Sequence, residues 1–185
     1  MNLLFTKTVL YAYPNLQAVM EQIDELVERK ALTSINDFTP CIEQCEKILN
    51  FTAQKDVLID LKIMVEQVLD KLNAFQSDCL EYKYFKRKPK EYFKDFDSTS
   101  RGYFRRQNAL IKTLSRLFDK AGITDEWFKE NCLKMDFFSE LLRRVKLLEE
   151  QGNKNKSKNL KNQSAIVKYK EYSKTSFEQK QAEIA

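Results

Sequence analysis

The 185-residue chain contains no histidine, three glycines, three prolines and a single tryptophan. Without histidine there is no Ser-His or Cys-His nucleophile pair and no imidazole metal ligand. So few glycines leave no room for a phosphate-cradling loop or a dinucleotide fingerprint, both of which need glycines clustered. The same scarcity argues against many short strands joined by tight turns. No apolar run approaches the roughly 18–20 residues of a membrane span. Met1–Leu10 has neither the basic start nor the long apolar stretch of a secretory leader. A cytoplasmic protein with reduced thiols is therefore expected. Its four cysteines are Cys41, Cys45, Cys79 and Cys132. A helix would place Cys41 and Cys45 on one face, where two thiolates make only half of a tetrahedral zinc site. Residue-type preference predicts instead a pair of small buried side chains. No catalytic residue, cofactor or metal is expected.

What is present is apolar periodicity. Apolar residues are 43% of the chain, enough to support a core. Met1–Tyr13 is apolar and aromatic and ends at Pro14. Asn15 is a plausible cap for a helix through about Lys30, in which Leu16, Val19, Met20, Ile23 and Leu26 recur at helical spacing. Thr33–Thr39 reads as a connector, and Pro40 suits the first position of the next helix, which carries Cys41, Ile42, Cys45, Ile48 and Leu49. A third helix is expected over about Ala53–Leu72 and a fourth around Ala74–Phe85, with Asn50, Gln54 and Asn73 as weak breaks. Further on, Gly122 is a natural helix stop, Thr124 a cap, and Trp127–Leu148 supplies apolar bulk expected mostly in the core.

The charge is segregated. Residues 1–82 carry a net −6, residues 83–120 a net +8, residues 121–150 a net −2 and residues 151–185 a net +5. A compact basic stretch inside an acidic body points to a polyanion partner. The last segment is mostly Lys, Asn, Ser and Gln and reads as a disordered basic tail. Within it, Ala165–Tyr172 is apolar enough to order on a partner.

The basic stretch predicts two helices and a turn. Lys86-Arg87-Lys88 links to Pro89–Phe96, two turns with Tyr92, Phe93 and Phe96 inward. Asp97-Ser98-Thr99 is a turn that caps a longer helix through about Phe118. At 100° per residue, Tyr103, Phe104, Gln107, Leu110, Ile111, Leu114 and Phe118 share one side of that helix. Arg101, Arg105, Lys112 and Arg116 share the other with Gly102 and Ala109, and Arg106 lies at the margin. Guanidinium groups reach phosphates and guanine edges, and small residues admit close approach of the backbone. A helix, a short turn and a longer helix form the skeleton of a helix-turn-helix reader.

Residues 80–118 also resemble region four of bacterial sigma factors and of sigma-like regulators of phages and mobile elements. The residues concerned are Leu80-Glu81-Tyr82-Lys83-Tyr84-Phe85, then Glu91-Tyr92-Phe93, then Ser100-Arg101-Gly102-Tyr103-Phe104-Arg105-Arg106. Asp97-Ser98-Thr99 replaces the usual Gly-Ile/Val turn, and the helices of 1–76 lack the aromatic, basic melting stretch of region two. The resemblance thus implies a regulator that reads promoter-type duplex DNA rather than a complete sigma factor.

The sequence reading is an all-α, non-enzymatic, cytoplasmic transcription regulator. It has an acidic helical domain at 1–76, a helix-turn-helix domain with supporting C-terminal helices at 77–150, and a disordered tail at 151–185. The expected DNA-binding residues are Lys86, Arg87, Lys88, Lys90, Ser100, Arg101, Arg105, Arg106 and Lys112. Expected partners are double-stranded DNA, RNA polymerase or another protein through the N-terminal helices, and a second copy in a homodimer, with no membrane. The competing readings are a helical adaptor or negative regulator that binds another protein and, through Glu21, Asp24, Glu25 and Glu28 as metal-holding carboxylates, an enzyme acting on nucleic acid.

Overall fold

A computed structural model describes residues 1–33, 41–86 and 100–151, apart from the side chains of Thr33, Ser100, Arg101, Tyr103 and Phe104. All regular elements among these residues are helical. None is long and apolar enough to cross a membrane.

Helix α1 (Leu3–Ala12) opens with Asn2, whose side chain accepts the Leu4 amide at 2.9 Å. It buries Phe5, Val9, Leu10 and Ala12, and also Thr6 and Thr8. The two threonine hydroxyls donate back to the Asn2 and Leu4 carbonyls, so neither is left unsatisfied in the core. A helix buried on several sides has no simple amphipathic stripe, so periodicity does not assign this segment. One 3₁₀ turn (Tyr13–Asn15), with Pro14 near its start, leads into α2 (Leu16–Thr33). Asn15 is not a cap: it sits inside this turn and its side chain donates to the Tyr11 carbonyl at 3.4 Å.

Helix α3 (Cys41–Leu69) is one uninterrupted rod of 29 residues. The expected break near Asn50 is absent. Asn costs only about 0.7 kcal/mol in a helix interior, which packing readily overrides. Here that packing is against α2, with Leu58, Leu61, Val65 and Val68 buried on one side and Leu16, Met20 and Ile23 on the other. Lys55 reaches the Asp24 carboxylate at 2.6 and 2.8 Å, and Lys62 donates to Gln17 at 3.2 Å. The expected connector, including Pro40, lies largely outside the described residues.

Asn73 starts α4 (Ala74–Leu80) with a reciprocal capping box to Gln76. The helix widens into a π turn (Glu81–Phe85) and stops at Lys86, whose φ of 52° is left-handed. Helix α5 (Ser100–Lys120) ends at Gly122, with φ 97°. Ile123 and Gly122 return their amides to the Phe118 and Asp119 carbonyls, and Ile123 is fully buried. That is a complete Schellman stop, and its left-handed residue needs glycine. Thr124 caps the short α6 (Asp125–Trp127) at 3.1 Å from the Trp127 amide. A second π turn (Phe128–Cys132) leads to α7, residues 136–151.

Met1–Arg143 form one compact unit and Arg144–Ala185 a second. The separation expected at residue 76 therefore does not coincide with the unit boundary, because the N-terminal helices and those after residue 77 share one core. Helix α1 packs on α5, and α3 also touches α5. Phe5 meets Phe128 at 5.0 Å, Phe128 meets Phe138 edge-on at 5.7 Å, and Tyr11 meets Tyr84 at 4.7 Å. Of the second unit, residues 144–151 are described; they are helical and expose Leu147 and Leu148.

Candidate nucleic-acid interface

The candidate site is the outward face of α5. Its inward face carries Gln107, Leu110, Ile111, Leu114, Ser115 and Phe118, all buried. The back of the helix is tied to the chain start: Ser115 donates its hydroxyl to the Met1 carbonyl, and the Met1 amino group pairs with Asp119. The Asn2 amide, in turn, donates to Asp125 at 2.5 Å. One side of α5 is thus held by apolar packing against α1 and by polar contacts from Met1.

The other side is left to solvent. Arg105, Ala109, Lys112 and Arg116 follow at steps of four, three and four, and all are exposed. Asn108 is exposed beside them. From Arg105 to Arg116 the rise is about 16 Å at about 1.5 Å per residue, roughly five base pairs of B-DNA. Two guanidinium groups and one ammonium on this stripe form a donor-only surface, suited to phosphate oxygens and guanine edges.

The expected site residues are distributed unevenly. Arg105 and Lys112 lie on the stripe, joined by Arg116, which the sequence angles place there. Arg106 is exposed on the flank, its guanidinium 5.8 Å from the Phe75 ring centroid, so part of its reach is turned toward α4. Gln107 is withdrawn from any ligand; its amide donates to the Cys79 carbonyl at 3.5 Å. Lys86 is exposed at the end of the preceding helix. Ser100 and Arg101 lie in the first turn of α5. Arg87, Lys88 and Lys90, the expected short helix over Pro89–Phe96 and the capped turn at Ser98-Thr99 fall outside the described residues, as does the tail from Gly152.

The acidic cluster of the enzyme reading forms no metal site. Among the described residues no group of three or more Cys, Asp or Glu is arranged to hold a metal ion. Asp24 is engaged by Lys55, and Glu21 accepts from Gln17.

The thiols depart from expectation. Cys79 and Cys132 are buried, but Cys41 and Cys45 are exposed. Burial pushes the Cys132 thiol up to about 12, and burial is also the first cause that raises Cys79. Cys41 and Cys45 stand on the first turns of α3, where Gln44 between them is buried, and the buried apolar residues of the helix, Leu58, Leu61, Val65 and Val68, lie farther along. No known protein family, curated protein or solved structure matches the chain.

Proposed function

We propose that the protein is a sequence-specific, DNA-binding transcription regulator, non-catalytic, that lays the exposed stripe of α5 in the major groove in the manner of a sigma region-four helix-turn-helix. The observation that carries this reading is the stripe itself. Arg105, Lys112 and Arg116 point to solvent from a helix whose opposite face is locked into the core. Lys86, Arg87, Lys88 and Lys90 would hold the phosphate backbone, with Ser100 and Arg101 at the entering end of α5. The net +8 of residues 83–120 supports a polyanionic ligand.

The experiment is a salt-titrated binding measurement on duplex fragments selected from a random pool. Arg105→Glu and Lys112→Glu are expected to weaken binding by ~10-fold or more each. They should flatten the log K against log salt slope by about 1 for each phosphate no longer neutralised, with unchanged helical circular dichroism. Unaltered affinity and slope would remove the assignment.

A second reading, a helical adaptor, is favoured by the apolar side chains Leu32, Ile42 and Leu49, which stand exposed on α2 and α3. Capture of a protein partner, abolished by Leu49→Glu and indifferent to Arg105→Glu, would select it.

A further inference from the structure

The exposed thiol pair on α3 has the form of an incomplete metal site. Cys41 and Cys45 are one turn apart on one helix face, and both are exposed. Their spacing falls within the C-x₂₋₄-C range of structural zinc ligands. Yet zinc in a structural site takes four ligands, and no third Cys, Asp or Glu stands with them among the described residues. The other two cysteines are buried in the core and cannot join.

A two-fold axis solves the deficit, because an isologous contact presents the same two thiolates twice. The surroundings suit such a contact. Ile42 is 73% exposed and Leu49 is 68% exposed, and with Cys45 they follow at steps of three and four along α3. Continuing the same stripe leads to Thr52 and Asp56, both exposed, and the Asp56 carboxylate is unsuited to a dry seam. The apolar contact is therefore confined to the first turns of α3, around the thiols. So small a patch falls far short of the roughly 1,200–2,000 Å² of a stable interface, so the metal must hold the two copies together.

We propose that Cys41 and Cys45 of two copies of this chain bind one zinc-class divalent cation as a shared tetrathiolate centre, with Ile42 and Leu49 packed around it. Binding releases four thiol protons to solvent and leaves a Zn(Cys)₄ centre of charge −2, without redox change. Uptake therefore strengthens steeply as pH rises. The proposal does not depend on the DNA-binding reading, since its variants leave α5 untouched.

The test uses the full chain, reduced and freed of metal, with zinc chloride as the probe. Zinc uptake is read by competition with a chromophoric chelator, and mass by sedimentation. The expected result is half an ion per chain with doubling of mass, reversed by chelator. Cobalt in place of zinc should give thiolate charge-transfer absorption. Cys41→Ser and Cys45→Ser should each abolish uptake and doubling. Leu49→Glu, which spares the thiols, should raise the zinc concentration needed by ~10-fold. Four results would each overturn it: one ion per monomer, no uptake, doubling that persists in the serine variants, or doubling undone by reductant and not by chelator.

Discussion

Cys132 shows how one buried side chain governs a solution property. Its thiol is held near 12 by burial, while in the unfolded chain it titrates near 9. The folded state therefore keeps the proton that the unfolded state gives up. The contribution to stability is complete below about pH 9 and falls as pH rises toward 12. The loss is about 1.4 kcal/mol per pH unit for one group. Urea unfolding of Cys132→Ala should accordingly show a shallower alkaline decline than the parent chain. A second measurement separates the four thiols: brief alkylation of the native protein at mildly alkaline pH should label Cys41 and Cys45 and spare Cys79 and Cys132, and all four should react in denaturant. At this scale the sequence is readable wherever local chemistry decides. Gly122, Thr124 and the inward aim of Gln107 follow from a left-handed stop, a cap and an angular position. The exposure of Cys41 and Cys45 does not, because it depends on how far a packed core extends along α3, which no single residue encodes.

Helix boundaries follow the same division. Asn73 can be read as a break because Gln76 completes its capping box. Asn50 resembles a break equally well but lies inside α3, exposed and free of any cap role there. Periodicity locates α2 and α5, whose polar and apolar sides are distinct. It cannot assign α1, where even Thr6 and Thr8 are buried. The stripe of α5 depends on the opposite face staying in place. Leu114 is fully buried there between Ile111 and Phe118 on the same face. Leu114→Ala should cost about 2–5 kcal/mol in chemical denaturation, with Lys112→Ala within about 0.5 kcal/mol of the parent. Equal effects of the two would mean that the inward and outward faces are misassigned.

At the level of the whole chain, the described acidic helices and the basic helix α5 are not separate bodies. The acidic helices and α5 belong to the same unit, so the net −6 of residues 1–82 lies within the body that carries the basic stripe. Those carboxylates reduce attraction to any polyanion, more so at low salt, where the Debye length is long. Duplex binding should therefore gain from neutralising exposed acids such as Glu21→Gln and Glu25→Gln, most visibly below physiological salt; no gain would argue that these helices face away from the nucleic acid.

The fastening of α5 to the chain's first residues bears on how the protein can be dissected. The basic helix borrows its backing from the chain start, through Met1 and the apolar side chains of α1. A fragment starting at residue 77 would retain every cationic group of the stripe and lose the wall behind it, and such a piece should come off a column as an aggregation-prone, partly melted chain. Adding back a peptide spanning the first helix is the natural remedy to try, with recovery of cooperative thermal unfolding as the readout.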